Sequence, residues 1–330
     1  MDRFFSGRKS PSQIQCDEIA QSVSGASTVS PVDSPGSMSY TVICSGRPEP
    51  QQDLIVSFRE PGAMLDKRIV KLAKEIHSDL VPESSTCHGN VKEADPLLRI
   101  DSMPYLRGSS YIEVLAFRVE MDPQEEAKHE VFVQHLARTL HDIGPALGRL
   151  TAKSKQRSKK ESAKDSSCWR KNHHRLFCRT RCCLSSLRSS PYFSVKIIHK
   201  FSRMATSQNI LVDENTFQIT GIVDWSLASV MPFGMDLDIL FLTTGFMTQD
   251  GWHDYACQLL LRDTFWKEFW AASGIEEGER RGRMQGLAEA AGQIGAILRL
   301  AFRRNADGSP SEEVLVSESR MKQLRAWFGE

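Results

Sequence analysis

Residues 207–238 read SQNILVDENTFQITGIVDWSLASVMPFGMDLD. Two short apolar runs, at 210–212 and 219–223, flank a polar segment that is rich in turn-forming residues. Apolar runs of this length around such a segment predict a β-hairpin. Asn209 opens the first strand and Asp224 closes the second, so the hairpin brings both side chains to one end. A carboxamide beside a carboxylate supplies the oxygen ligands that suit Mg²⁺, although a purely structural hairpin with polar ends is the alternative.

The residues of this stretch, taken in order, also resemble those of a known family. QNILVDENTFQITGIVDW followed by PFGMDLD resembles the aminoglycoside phosphotransferase-like family, in particular its fungal members, within the protein-kinase-like superfamily. The resemblance implies that ATP is the phosphoryl donor and that Asn209 and Asp224 bind the Mg²⁺ of the nucleotide. It also implies a structural role for Asp236, where an acid at a helix N-terminus is favoured by the helix dipole in any case.

The region 39–103 has the order strand, strand, helix, strand, which the superfamily uses for its small lobe. Within it, LIVSFREPGAMLDKRIVKLAKEIHSDLVPE resembles the fungal family's version of that lobe. By this resemblance, Arg59 grips the nucleotide phosphates and Glu75 holds Arg59 in place. The alternatives are a charge at a strand end and a solvated helix residue. Residues 104–108 follow as the interlobe hinge. The patterns within this region predict strands at 40–44, 54–59 and 97–100, and a helix at 65–80.

The remaining segments complete the predicted architecture. Residues 1–38 are rich in Ser, Pro and Gly with little apolar periodicity, which predicts a disordered leader. Residues 109–330 predict a mostly helical large lobe. Its predicted helices lie at 125–143, 284–302 and 321–328. The predicted fold is therefore an α+β, two-lobed protein-kinase-like fold with a small β-rich N-lobe and a mostly helical C-lobe.

Residues 151–203 interrupt that pattern. They contain fifteen Lys or Arg against two acids, a net charge of +13 with His neutral, and their apolar residues follow no period. A nucleic-acid-binding patch and a zinc site are two interpretations, but the Cys and His spacings lack the two-plus-two repeat of zinc ligands. We favour a third, an irregular insert of translated non-coding or frame-shifted sequence, over a natural disordered loop. The zinc candidates would be Cys168, His173, His174, Cys178, Cys182 and Cys183.

The resemblance also exposes a missing residue. The superfamily's catalytic Asp stands five residues before the metal-binding Asn, and here that position holds Met204. Methionine has no basic oxygen, so it cannot accept the proton of an acceptor hydroxyl. The sequence therefore predicts an ATP:small-molecule-hydroxyl phosphotransferase scaffold that is impaired as it stands. A non-catalytic pseudo-phosphotransferase or binding protein, with or without nucleotide, is the alternative.

Composition limits the classes of partner. The 330 residues carry a net charge of +1, which implies no general attraction to nucleic acid or to anionic membranes. No apolar run is long enough for a transmembrane helix, and the N-terminus lacks the apolar core of a secretory signal. The eight cysteines are therefore expected to be thiols of a cytoplasmic protein and not a disulfide framework. The expected partners are a nucleotide and an unidentified small-molecule acceptor, and the sequence predicts no oligomeric state.

Overall fold

A computed structural model of the chain describes residues 4–5, 11–32, 38–48, 52–83, 85–92, 94–141, 196–200, 209–304, 310–315 and 317–328. Contacts divide the chain into two compact units. The sheet unit comprises Met1–Val114, Lys200–Ala228 and Arg304–Ser309, and the helical unit comprises Leu115–His199, Ser229–Arg303 and Pro310–Glu330. Most of the insert at 151–203, with its zinc candidates, lies outside the described residues, and so does Met204.

The sheet unit is built around five antiparallel strands in the order β1-β2-β3-β5-β4. Their bounds are Thr28–Pro31 (β1), Ser39–Ser45 (β2), Leu54–Arg59 (β3), Thr86–Asn90 (β4) and Arg99–Pro104 (β5). The strands predicted at 40–44 and 54–59 are confirmed as the neighbours β2 and β3. Helix α2, Lys67–His77, follows β3, within the region where the sequence predicts a helix.

The N-terminal segment contradicts the prediction of a disordered leader at 1–38. Helix α1 spans Gln13–Ser24, and Ser12 is its N-cap. The side chain of Ser12 forms a capping box with Gln15. Strand β1 then pairs with β2 along the edge of the sheet. The helix buries only small side chains, which gives it little apolar periodicity in the sequence. Those buried side chains are Cys16, Ala20 and Ser24, and the first two belong to the apolar core that also contains Tyr40, Val42 and Phe58.

The predicted hairpin is confirmed as strands β8, Ile210–Val212, and β9, Ile219–Ile222, which pair antiparallel. The short strand β6, Ser109–Ser110, pairs with β8 on its other side. Asp213 shapes the turn, because its carboxylate accepts hydrogen bonds from the backbone N–H groups of Asn215 at 3.1 Å and Thr216 at 2.9 Å. The hairpin belongs to the sheet unit, whereas the sequence prediction assigned all of 109–330 to the helical lobe.

The helical unit is described by five helices and three pairs of short strands. The helices are Pro123–His141 (α3), Asp238–Thr243 (α4), Gln258–Ser273 (α5), Glu279–Leu300 (α6) and Glu318–Phe328 (α7). The strand pairs are Lys196–Lys200 (β7) with Ala228–Pro232 (β10), Gly245–Met247 (β11) with Trp252–Asp254 (β12), and Phe302–Arg304 (β13) with Pro310–Val314 (β14). Helices α3, α6 and α7 confirm the three helices predicted in this region, with boundaries that differ by a few residues.

The core of the helical unit forms where α3 packs against α5. Phe132 and Leu136 of α3 are buried, as are Phe265 and Phe269 of α5. Together the two units have the α+β composition, and the β-rich part followed by helices, that the predicted two-lobed protein-kinase-like fold requires. In the ranges that the structure describes, every helix is too short or too polar to cross a membrane.

Candidate functional site

Asn209 and Asp224 lie at the same end of the hairpin. Ile210 is paired with Ile222, and the N–H group of Val223 donates a hydrogen bond to the carbonyl of Asn209 at 2.9 Å. Position 209 is therefore directly opposite position 223, one residue away from Asp224. The strand pairing alone thus brings a carboxamide and a carboxylate to neighbouring positions.

Asp224 has a backbone conformation that few side chains adopt. Its φ of 56° and ψ of 67° lie in the left-handed region, which Asp tolerates better than most residues. The neighbouring Trp225 is buried, and its Nε1 donates to the carbonyl of Ile222 at 2.9 Å. The hydroxyl of Ser226 donates to Oδ1 of Asp224 at 2.6 Å. The turn after β9 is therefore anchored on both sides of Asp224, and non-glycine residues in this conformation cluster at functional sites.

Arg59 approaches Asp224 from the last position of β3. Its Nη1 lies 3.9 Å from Oδ1 of Asp224, and the exposed fractions of the two side chains are 6% and 37%. The same Nη1 donates to the carbonyl of Ala63 at 3.4 Å. Burial lowers the pKa of the Arg59 guanidinium, and the charges of Asp224 and Asp101 act against that decrease. A nearly buried cation thus faces a carboxylate that solvent still reaches.

The structure does not bring Glu75 to Arg59, which corrects the ion pair that the sequence led us to expect. Glu75 lies on α2, with 48% of its side chain exposed, and its Oε1 is 4.0 Å from Nζ of Lys71 one turn earlier. Among the described residues, the carboxylates that act on Arg59 are those of Asp224 and Asp101. Glu75 is therefore a solvated helix residue, the alternative that its sequence context left open.

A cavity opens beside Arg59 and Asp224 in the sheet unit. Most of its wall is apolar, and the two charged side chains form its polar edge. The volume of the cavity itself is about 20 Å³, and it rises to about 340 Å³ when the adjoining space that is open to solvent is counted. Its lining residues are Arg59, Leu65, Val70, Pro82, Ser85, Met103, Val223, Asp224 and Trp225. Apolar walls with a few convergent polar groups are the usual composition of a small-ligand site.

The donor set at this edge fits Mg²⁺ better than a transition metal. The described residues contain no group of three or more His, Cys, Asp and Glu side chains placed to hold a metal ion. Asn209 and Asp224 offer oxygen atoms only. Mg²⁺ is commonly held by one or two carboxylates together with water and phosphate oxygens, so a set this small is compatible with it.

Asp236 lies in the helical unit, where it is 5% exposed at the turn before α4. Its carbonyl accepts a hydrogen bond from the N–H group of Ile239 at 3.0 Å. Two residues later, Asp238 forms a fully buried ion pair with Arg299 of α6, a feature that sequence reasoning missed. Desolvation raises the pKa of Asp238 to about 7, with Arg299 lowering it and Asp236 raising it further.

Tyr105 lies in the segment 104–108, which is predicted as a hinge, and both its backbone N–H and its carbonyl form hydrogen bonds. The N–H group of Tyr105 donates to the carbonyl of Asp53 at 2.9 Å. Its carbonyl accepts from Nε2 of Gln52 at 2.9 Å. Tyr105 is therefore bound to the start of β3, and any backbone contact to a ligand base would have to come from other residues of the segment.

No family model and no curated protein matches this chain. Solved structures with a similar fold include aminoglycoside phosphotransferase APH(4)-Ia, at 11% identity over 87% of this chain and 90% of that one, with a TM-score of 0.49. A thermostable mutant of that enzyme, solved with ADP and hygromycin B, matches at 14% identity over 86% and 90% of the chains, with a TM-score of 0.46. An ethanolamine kinase from Plasmodium vivax matches at 11% identity over 82% and 73%, with a TM-score of 0.44. Likenesses at this level identify neither a family nor an activity for this chain.

Proposed function

We propose that this chain is a phosphotransferase-type scaffold that binds ATP and Mg²⁺ at the polar edge of the cavity and directs the phosphoryl group toward a small-molecule hydroxyl. The observation that supports this function is the convergence of Arg59 and Asp224 at 3.9 Å on one cavity edge, with Asn209 beside them. A guanidinium binds phosphate oxygens through charge-assisted hydrogen bonds, and a carboxylate with a carboxamide binds a divalent cation.

Each residue has a distinct task in this proposal. Arg59 binds the phosphates, and its burial strengthens the interaction because little water competes for the guanidinium. Asn209 and Asp224 hold Mg²⁺, while the Ser226 hydroxyl keeps the Asp224 carboxylate oriented. Bound Mg²⁺ supplies positive charge that neutralises phosphate oxygens during transfer. Among the described residues, Glu75 lies beside Lys71 and is given no task here.

Binding and transfer are expected to differ in this chain. The position where a general base is expected holds Met204, which lies outside the described residues. A positioned general base contributes roughly 10²- to 10⁴-fold to a rate, so transfer should be slower by about that factor. Nucleotide binding depends on Arg59, Asn209 and Asp224, which are all present. We therefore propose a protein that binds Mg-nucleotide and transfers phosphate poorly.

A thermal-shift titration with Mg-ADP tests the binding part. Mg-ADP at a hundredfold excess over its Kd should stabilise the parent by about 2.7 kcal/mol, and Asp224→Asn should remove most of that gain. Asp250→Asn changes an exposed acid of the helical unit and should respond like the parent. A parent whose melting temperature does not respond to Mg-ADP, or responds equally in EDTA, would refute nucleotide binding at this site.

A non-catalytic binding protein is the second candidate, and the methionine at position 204 favours it. Turnover of Mg-ATP to ADP, with hygromycin B or ethanolamine as hydroxyl probes, separates the two functions. An impaired enzyme gives slow turnover that Met204→Asp increases, whereas a binding protein gives none in either form. Rapid phosphorylation of a probe by the parent would contradict the impairment.

A further inference from the structure

Arg59 depends on nearby carboxylates because it holds a positive charge in an almost fully buried place. Asp224 supplies part of that compensation. In the proposed function, Asp224 is also the metal ligand, and a carboxylate that binds Mg²⁺ compensates a neighbouring cation less. A second counterion would help to hold Arg59 in position as the metal binds, alongside the phosphates that Arg59 binds, because a poorly compensated buried charge is strongly unfavourable.

Asp101 of β5 is placed to be that counterion. Strand pairing sets Arg59 opposite Arg99, and it sets Ser57 opposite Asp101. Side chains two residues apart on a strand point to the same face, so Arg59 and Asp101 are diagonal neighbours on one face of the sheet. Diagonal neighbours are roughly 7–8 Å apart, within reach of a long side chain such as arginine. Asp101 is completely buried, and its charge acts on Arg59.

Each of these residues keeps one buried polar atom that has no hydrogen-bond partner within the described residues. On Asp101, Oδ1 accepts from Nε of Arg99 at 3.0 Å and lies 2.8 Å from its Nη2, while Oδ2 is the unsatisfied atom. On Arg59, Nη1 contacts Ala63 and Asp224, while Nε is the unsatisfied atom. A buried donor and a buried acceptor of opposite charge are unfavourable apart and strongly favourable together.

We propose that Asp101 is the positioning residue of this site, whose second carboxylate oxygen takes the Arg59 guanidinium when Asp224 turns to Mg²⁺. This inference rests on the proposed function and deepens it. By this inference Asp101, a buried strand residue, holds Arg59 in place, which is the role that the sequence led us to expect of Glu75. Arg99 anchors the other oxygen of the carboxylate, which leaves Oδ2 for the Arg59 guanidinium.

Calorimetric titration with Mg-ADP and with adenosine tests this role. Asp101→Asn should weaken Mg-ADP binding about tenfold, the effect of losing one hydrogen bond to a charged group. Adenosine binding should stay unchanged, because adenosine lacks the phosphates that Arg59 binds. Asp79→Asn, an exposed acid of the same unit, is the matched control and should behave like the parent. Equal losses for both ligands would show a merely structural role and overturn the inference.

A second variant covers the case in which Asp101→Asn does not fold. Arg99→Met combined with Asp101→Leu replaces the buried ion pair with apolar side chains, which cores usually tolerate. It should show the same loss that is specific to Mg-ADP. Unchanged Mg-ADP affinity in the Asp101 variants would overturn this inference and leave the proposed function standing. A parent that binds no Mg-ADP would overturn both.

Discussion

Two arginine–aspartate pairs, one in each unit, use the same chemistry in different surroundings. In the helical unit, Arg299 and Asp238 form a direct ion pair with exposed fractions of 7% and 0%. In the sheet unit, Arg59 is equally buried, but its partner Asp224 is 37% exposed and 3.9 Å away. The first pair is closed to solvent on both sides, while the second is open on the side of its carboxylate. An open carboxylate beside a buried cation can exchange its partner for a ligand, whereas the Arg299–Asp238 pair has no exposed carboxylate that a ligand could reach.

Close packing explains why the pair in the helical unit is closed. Helix α6 approaches the turn before α4 so tightly that a Cβ at Gly295 would lie 1.7 Å from the carbonyl oxygen of Met235. The neighbouring Gly292 faces Leu237 in the same way, with a Cβ distance of 3.1 Å. Glycine at these two helix positions lets the backbones meet, and the close packing helps to bury the ion pair. Asp224, by contrast, lines the cavity and has 37% of its side chain exposed.

Removing the closed carboxylate should have the largest effect. Asp238→Asn leaves Arg299 charged and buried, and breaking a buried pair in this way costs about 3–5 kcal/mol. That cost corresponds to a decrease of roughly 10 °C in melting temperature for a unit of this size. Thermal unfolding of the parent and of the variant at pH 8 measures this loss.

A double variant controls for this interpretation. Asp238→Leu with Arg299→Met removes both charges, and an apolar pair of similar volume should recover most of the lost stability. Asp224→Asn in the sheet unit should cost far less, because Asp224 is partly exposed and Asp101 also compensates Arg59. Equal losses for Asp238→Asn and Asp224→Asn would erase the distinction between the closed and the open pair.

The difference between the two pairs also shows what could be predicted from the sequence. The hairpin, and with it the meeting of Asn209 and Asp224, follows from strand alternation around a turn, which is a local pattern. Arg59 was assigned by the family resemblance, and it does line the cavity. These features depend on few residues that are close together in the chain.

The missed features depend on contacts between distant segments. The pair of Asp238 with Arg299 joins residues 61 positions apart, and no local pattern marks either one. Glu75 was assigned to Arg59 by resemblance, but the rotation of α2 directs it to solvent instead. Strand β4 is absent from the predicted strands, because it is exposed along its whole length and shows no alternation. The sequence does not mark Asp101, because a single acid in a strand becomes informative only when the strand register is known.

A buried histidine provides a second test of burial in the helical unit. His129 of α3 is 1% exposed, and burial lowers its pKa to about 4 from an ordinary value near 6.5. Between these values the unfolded chain binds a proton that the folded chain does not, so stability is lost as the pH falls from 6.5 toward 4. By this linkage, the loss at pH 4.5 relative to pH 8 should be about 2.5 kcal/mol.

Urea unfolding at the two pH values measures that loss. His129→Phe removes the titration, so its stability should fall by about 2.5 kcal/mol less than that of the parent over the same interval. Other groups, Asp238 included, titrate in both proteins and cancel in the difference. His88→Gln changes an exposed histidine on the edge strand of the sheet unit, and it should keep the acid sensitivity of the parent. Identical pH profiles for the parent and His129→Phe would show that water reaches the imidazole of His129 in the folded protein.

The smallest expected effect belongs to Glu75→Gln, and it discriminates between the two acids considered as partners of Arg59. Glu75 and Lys71 are 48% and 79% exposed and 4.0 Å apart, so their pair is a surface interaction worth about 0–1 kcal/mol. With Lys preceding Glu, the order is also the less favourable one along a helix. We expect an unchanged melting temperature and Mg-ADP affinity within about twofold of the parent, against about tenfold for Asp101→Asn. A tenfold loss in Glu75→Gln would instead mean that α2 rotates on ligand binding and brings Glu75 to Arg59.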